Sequence, residues 1–313
     1  MIRRRLRPSR LDLRPRGLTG LLLLGVWVML LVAAPATLAD VFTPESDSGS
    51  PNAEDIDTLY KFVFGLGVLV FLGVEGMLIY TLLKYRMKRH SPAPAQIRGN
   101  TRLEIGWTAG AAGLLVIIAA VMFVMLGDIK NPQNSTPGGL PLGSAGTQFA
   151  ATGQPDPPSG KSLQIDVNGQ QYLWRFDYPS DEPLFSYYEM VVPLDTTVTL
   201  NITSQDVQHS WWIPDLGGKM DAVPGHTNET WFRIPSTGDG KAREFVGECA
   251  ELCGEGHADH YARVRALPPD EYEAWAARQT QAINESQEQL AASRREREAT
   301  EPTNTETGGG EGS

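Results

Sequence analysis

The chain has 313 residues, 41% hydrophobic and 20% charged, with a formal net charge of −10. That length exceeds one small domain. The acidic balance works against nucleic-acid binding and favours a basic partner, although charge alone names none.

The N-terminus carries Arg3, Arg4, Arg5, Arg7, Arg10, Arg14 and Arg16, then an apolar run from Leu18 to Ala34 and small residues up to Ala39. Residues 1–39 read as a secretory signal with processing after Ala36 or Ala39, a retained membrane anchor being the other reading. They hold seven arginines and one aspartate, so their removal takes six positive charges away, from −10 to −16. Residues 40–58 follow as a short exported segment.

Two apolar stretches, Tyr60 to Leu83 and Ile105 to Leu126, are each long enough to cross a bilayer, which takes about 20 helical residues. Together they make a helical hairpin over residues 59–126. The loop between them is basic, with Lys84, Arg86, Lys88, Arg89, Arg98 and Arg102. Basic loops stay in the cytoplasm, so residues 40–58 and everything after residue 127 are expected outside. Glu75 lies within the first span, where a carboxylate is costly; it is read as a hydrogen-bonded packing residue facing protein or water rather than as a transport group.

Residues 127–161 are rich in Gly, Pro, Ser, Asn and Gln and read as a flexible linker. From Ser162 short β-branched and aromatic runs begin: Leu163–Val167, Tyr172–Tyr178, Tyr187–Val192, Thr196–Ile202, His209–Ile213, Thr230–Ile234, Glu244–Val246 and Tyr261–Val264. Their spacing predicts a β-sandwich or small Greek-key barrel. Pro268-Pro269-Asp270 opens a helix over 271–285, with Tyr272 and Trp275 free to pack on the barrel. The domain thus spans 162–285, and the polar tail 286–313 is expected to be disordered.

Both cysteines fall in Cys249-Ala250-Glu251-Leu252-Cys253-Gly254-Glu255-Gly256-His257, with His260 three residues on and His209 about forty residues upstream. Thiolates and imidazoles gathered this closely suit copper or zinc better than hard cations. Gly254 and Gly256 argue for a loop rather than a helix. Three readings stand open at this point. A structural disulfide is the default for two cysteines in an exported chain, but it leaves the histidines unexplained. A zinc site of two cysteines and two histidines has enough ligands. A copper pair sharing both thiolates uses the same donors, with a backbone carbonyl such as that of Glu251 and the side chain at position 260 as weak positions.

The sequence resembles subunit II of haem–copper cytochrome c oxidases from about residue 56 to 280. The motif Cys-x-Glu-x-Cys-x-x-x-His is Cys249-Ala250-Glu251-Leu252-Cys253-Gly254-Glu255-Gly256-His257 here. Gln205-Asp206-Val207-Gln208-His209-Ser210-Trp211 and Lys219-Met220-Asp221-Ala222-Val223-Pro224-Gly225 resemble the family's two upstream segments, in the same order. The resemblance implies a two-helix transmembrane hairpin followed by an all-β, cupredoxin-like Greek-key barrel with a dinuclear CuA centre. It implies electrons taken from cytochrome c and passed to haem in subunit I, where oxygen is reduced to water and protons are moved. A third subunit and membrane lipid are expected neighbours, in the plasma membrane of a bacterium with the barrel on the outer face.

Carried over by residue, Cys249 and Cys253 bridge the coppers, and His209 and His257 terminate them. Glu251 gives its backbone carbonyl to copper and its carboxylate to magnesium at the subunit I interface. Glu104 matches a glutamate at the mouth of a proton pathway. Two positions depart from the family's pattern. His260 stands where the family has a weakly binding methionine, and, if it binds, it lowers the centre's potential. Tyr172, in Gln170-Gln171-Tyr172-Leu173-Trp174, takes the place of an exposed tryptophan that receives electrons, and Trp174 is expected inside the barrel. No Cys-x-x-Cys-His for a fused haem c is present. A quinol-oxidase subunit would lack the ligands, and nitrous oxide reductase would not explain the hairpin. A membrane-anchored copper or zinc carrier with no oxidase partner is the alternative of a different class.

Overall fold

A computed structural model of the chain describes residues 49–86, 95–140, 158–159, 161–238 and 240–300. The expected signal over 1–39 and most of the exported segment 40–58 lie outside the described residues.

Two long helices come first, α1 (Pro51–Lys84) and α2 (Thr101–Lys130). Each outruns its apolar stretch because its ends continue with polar residues and caps. Asn100 caps α2, its side-chain oxygen accepting from Leu103 N at 3.3 Å, while Glu104 Oε1 accepts from Asn100 N at 3.2 Å. Both helices are long and apolar enough to cross a membrane. Their outward side chains are large and apolar, among them Leu69, Phe71, Phe123 and Val124. Surfaces of that size are untenable in water and ordinary against lipid.

Among the described residues, ten strands build the domain that follows. One sheet runs β3 (Phe185–Tyr187), β2 (Leu173–Asp177), β1 (Leu163–Gln170), β5 (Thr197–Ser204), β8 (Asn228–Arg233), and the facing sheet runs β4 (Glu189–Pro193), β10 (Tyr261–Leu267), β9 (Arg243–Glu248). A ribbon of β6 (His209–Trp211) and β7 (Met220–Ala222) completes them. Strand β1 lies parallel to β5 and β10 parallel to β4, so neither sheet is a simple meander. Alternation places Leu163, Ile165 and Val167 of β1 and Val198, Leu200 and Ile202 of β5 inside. Ala262, Val264 and Ala266 of β10 close the core from the other sheet. The small residues on β10 let the sheets approach over bulky Trp174, Phe176 and Phe232.

The domain is tied to both helices through one residue of β8. Asn52 Nδ2 donates to Trp231 O at 2.8 Å, and Trp231 Nε1 donates to Ile129 O at 2.9 Å. Gly49 N donates to Asp215 O at 2.7 Å and Arg233 N to Ser50 Oγ at 3.1 Å.

Two boundaries differ from expectation. The linker expected over 127–161 begins as helix to Lys130, and residues 133–140 are pinned to the start of β5. Thr136 N donates to Asp195 O at 2.9 Å, Thr197 N to Ser135 Oγ at 2.9 Å, and Leu140 N to Thr196 Oγ1 at 2.8 Å. Short polar side chains that suggest flexibility are here the hydrogen-bonding partners of a strand end. Residues 141–157 lie outside the described residues. The tail expected to be disordered from 286 is instead helical to Thr300 within α3 (Pro269–Thr300). Its Gln, Glu, Ala and Arg residues are strong helix formers with no Gly or Pro among them, and acidic residues open the helix while Arg297 closes it. Tyr272 and Ile283 bury one end of α3. Residues 301–313 lie outside the described residues.

Candidate metal centre

His209 opens β6, paired with Ala222 of β7, and is fully buried. Its Nε2 lies 2.9 Å from Asp206 Oδ1. Asp206 is itself held by Gln171 N at 2.7 Å and Val207 N at 2.6 Å. Partial burial alone would raise the Asp206 pKa, but the bonds from His209, Gln171 and Val207 outweigh it and bring it down to about 2. A carboxylate this firmly ionised takes the Nε2–H, which leaves the lone pair of His209 on Nδ1. That atom faces Cys249 Sγ at 3.9 Å. Gly169 makes room for the ring, since a Cβ there would stand 2.9 Å from His209 Cδ2.

The ligand loop leaves β9 at Cys249 and is stitched to its neighbours at once. Cys249 N donates to His260 O and Ala250 N to Ser210 O, each at 2.9 Å. The chain then turns so that the carbonyl of Glu251 lies 3.2 Å from Cys249 Sγ, while the Glu251 side chain stays exposed. Leu252, 78% exposed, marks the tip. Gly254 has φ +129, and a Cβ on it would meet Tyr172 Oη at 2.5 Å, so conformation and space both require glycine. Gln171 Nε2 donates to Cys253 O at 2.6 Å and fixes the far arm of the loop.

Cys249 Sγ and Cys253 Sγ lie 3.9 Å apart, both buried and unbonded. A disulfide would need about 2.0 Å, so the default reading of the pair fails here. His257 sits in a short 3-10 turn (His257–Asp259), with Nδ1 at 3.6 Å from Cys253 Sγ. His260 follows, fully buried, with Nδ1 at 3.8 Å from the same sulfur. Ligand atoms of His209, Cys249, Cys253 and His260 all lie within 4.8 Å of one another. Sequence reasoning placed His257 ahead of His260; the structure gives His260 the more central position.

Burial by itself would push both thiols up. For Cys249, hydrogen bonding with His209 and His260 and with the adjoining backbone overturns that and lowers its pKa. Cys253 is raised, by burial and then by the negative charge on Cys249. The pair therefore gives up one proton readily and resists losing the second, until a cation arrives to offset the second charge. His209 responds in the opposite sense: burial disfavours its charged form, but Cys249 and Asp206 more than compensate and raise it.

Tyr172, half-buried, lies across Gly254 and Gly256 and covers the loop, while Trp174 is fully buried beneath the cluster. Glu104 is not part of this group. It is an exposed residue in the first turn of α2, separated from the barrel by about 40 Å of helix. Glu75 lies in the second half of α1, towards its C-terminal end, and is likewise remote. Three contributors were not singled out from the sequence: Asp206, Gln171 and the ring stacking of Trp174. Asp206 had one signal, its place three residues before His209 in a turn.

The comparisons with known proteins bear on the family. A profile described as cytochrome c oxidase subunit II, transmembrane domain, matches residues 41–125, and one for the periplasmic domain of the same subunit matches 184–266. Cytochrome c oxidase subunit 2 of Alkalihalophilus pseudofirmus is 36% identical over 225 residues, covering 71% of this chain. The chain belongs to the cytochrome c oxidase subunit II family. It is also 29% identical over 293 residues to the subunit 2 of Synechocystis, covering 84% of this chain and 85% of that protein. The chain spans 58% of the length of the Alkalihalophilus relative. Among solved structures, the periplasmic domain of subunit II of cytochrome oxidase from Bradyrhizobium japonicum covers 39% of this chain and 96% of its own, at 30% identity and a TM-score of 0.36. With the transmembrane profile matched, α1 and α2 are the spans of a membrane protein. The architecture is that expected for the family, a hairpin followed by a β-domain carrying the thiol and imidazole cluster.

Proposed function

We propose that this chain is the electron-accepting subunit of a bacterial respiratory haem–copper oxidase. The observation that carries the reading is the buried pair of unbonded thiols with imidazole nitrogens facing them, in a β-domain seated on a two-helix hairpin. Two copper ions held there supply a one-electron relay with little change in geometry. The donors fit copper: soft sulfurs and borderline imidazoles, a first thiolate formed readily, and a tautomer of His209 already set to donate through Nδ1.

Cys249 and Cys253 act as the shared sulfur donors, His209 and His257 as terminal nitrogens, and Glu251 as a carbonyl donor. The Glu251 side chain is exposed, and its carboxylate would hold magnesium against subunit I. Tyr172 covers the ligand loop with an aromatic face suited to receive electrons from a docked cytochrome c. Glu104, at the opposite end of α2, is set at the cytoplasmic side to pass protons towards subunit I, where oxygen is reduced to water and protons are translocated. The basic residues Lys84, Arg86, Arg98 and Arg102 between the spans support a plasma-membrane orientation with the β-domain outside. The arginines and apolar run of residues 1–39 support its export. Subunit I, subunit III and membrane lipid are the neighbours this reading requires. A stand-alone copper or zinc carrier fits less well, because it leaves the match over both spans unused.

Purification of the intact assembly in detergent tests the reading. The expected result is two coppers per chain with a mixed-valence electron paramagnetic resonance signal, and a haem-bearing subunit that copurifies. Zinc in place of copper, or a chain that purifies alone from its native membrane, would refute it.

A further inference from the structure

We infer that His260 is a copper ligand of this chain, sharing one ion with His209. The inference rests on the copper-centre reading above and assigns the donor set within it. A buried histidine kept for structure alone is normally tied by a carbonyl or carboxylate that fixes its tautomer, as Asp206 ties His209. His260 has no such tie. It is fully buried, its Nε2 has no hydrogen-bond partner among the described residues, and its Nδ1 faces Cys253 Sγ at 3.8 Å.

The ring is held in place by packing, and its only polar side-chain contacts among the described residues are with the two sulfurs. Trp174 lies against its face at 4.8 Å and 28°, and His209 stands edge-on to it at 4.9 Å and 88°. Donors sharing one metal at about 2.0–2.3 Å stand roughly 3.3–3.8 Å apart. The atoms of His209, Cys249, Cys253 and His260 all lie within 4.8 Å of one another, so gathering them on one ion needs a contraction of about 1 Å or less. His257 falls outside that set and reaches Cys253 from the loop side, where the Glu251 carbonyl also lies.

The two thiolates therefore meet two imidazoles on the barrel side and one imidazole with one carbonyl on the loop side. The two ions are unequal. Imidazole is a harder and stronger donor than the thioether that His260 replaces in the family's pattern, and it favours the oxidised ion. The unpaired electron of the mixed-valence pair is then weighted to one copper nucleus, and the reduction potential is lower than with methionine at this position.

The full-length chain in detergent, loaded with equimolar copper(I) and copper(II), tests this beside His260→Met. The native chain is expected to show a hyperfine pattern weighted to one nucleus. His260→Met should move it towards equal sharing and raise the potential. Identical hyperfine patterns and potentials in two fully loaded proteins would overturn the inference. Electron–nuclear double resonance on the native chain decides the matter even where the variant does not fold. Coupled nitrogens from His209, His257 and His260 support the inference, and coupling from His209 and His257 alone overturns it. A native chain that takes up no copper pair sinks the copper-centre reading itself, a failure visible before any variant is compared.

Discussion

Because Asp206 accepts the Nε2 proton of His209, Nδ1 is the nitrogen turned towards Cys249 before any metal arrives. Asp206→Asn removes the charge that fixes this tautomer. It should weaken copper binding by about 10–100-fold, the usual effect of losing a carboxylate behind a ligating histidine. Competition against a chelator measures the loss, and circular dichroism should show the β-domain intact; unchanged affinity would make the carboxylate incidental. Trp174 contributes differently. It is fully buried between His260 and Trp211, so Trp174→Ala should cost about 3–5 kcal/mol in urea unfolding of the metal-free chain. A loss below about 1 kcal/mol would mean that the site collapses around the gap. At this scale the sequence showed which residues are soft donors, because Cys249, Cys253, His209 and His257 announce themselves by type and spacing. It could not show that His260 lies deeper than His257, since the 3-10 turn that separates them is set by the stitching of Cys249 N to His260 O.

At the scale of elements, Asp195 joins the pinned segment 133–140 to the barrel. Its backbone carbonyl accepts from Thr136 N and its Oδ1 from Ser236 N at 3.0 Å. Burial alone would raise its pKa, but hydrogen bonding to Ser236 and Thr136 and the charge of Arg233 hold it below the usual 3.8. A depressed carboxyl pKa adds stability above the unfolded-state value, and that contribution disappears as pH falls through the folded-state value. Asp195→Asn keeps the left-handed conformation (φ +59) and an acceptor oxygen, so it should cost about 1 kcal/mol at neutral pH. The difference from the native chain should close as pH drops below the ordinary carboxylate range. Thermal melts at several pH values measure it, and a gap that persists in acid would assign the loss to packing. The strands were legible because alternation and turn residues mark them; only β3 and β7 went unread, three-residue strands with no longer apolar run of their own around them. The segment 133–140 was illegible for a physical reason. Its hydrogen bonds are to a strand end more than fifty residues away, and local composition carries no trace of them.

For the molecule as a whole, α3 separates into a docked and an undocked part. Tyr272 and Ile283 are buried, whereas Leu290 and the charged residues after it are exposed. Deleting residues 286–313 should leave the melting temperature and copper uptake of the full chain essentially unchanged, as expected for a surface helix that buries nothing. A large drop in either would show that the exposed turns have a partner on this chain. The hairpin and the barrel were both apparent from the sequence, because hydropathy and strand spacing are strong signals over long windows. The joint between them was not. It rests on Trp231, which accepts from Asn52 at the start of α1 through its carbonyl and donates to Ile129 at the end of α2 through its indole. Trp231→Phe keeps the first bond and loses the second, at a cost of about 0.5–1.5 kcal/mol that faster hydrogen exchange at the end of α2 would reveal. Trp231 bonded to two spans, with the Gly49–Asp215 and Arg233–Ser50 bonds beside it, also makes the β-domain a fixed stage rather than a tethered float. An electron tunnelling from this centre to any acceptor anchored beside the hairpin then crosses one gap, not a distribution of gaps. Its transfer should follow a single exponential in the native chain and spread into several in Trp231→Phe.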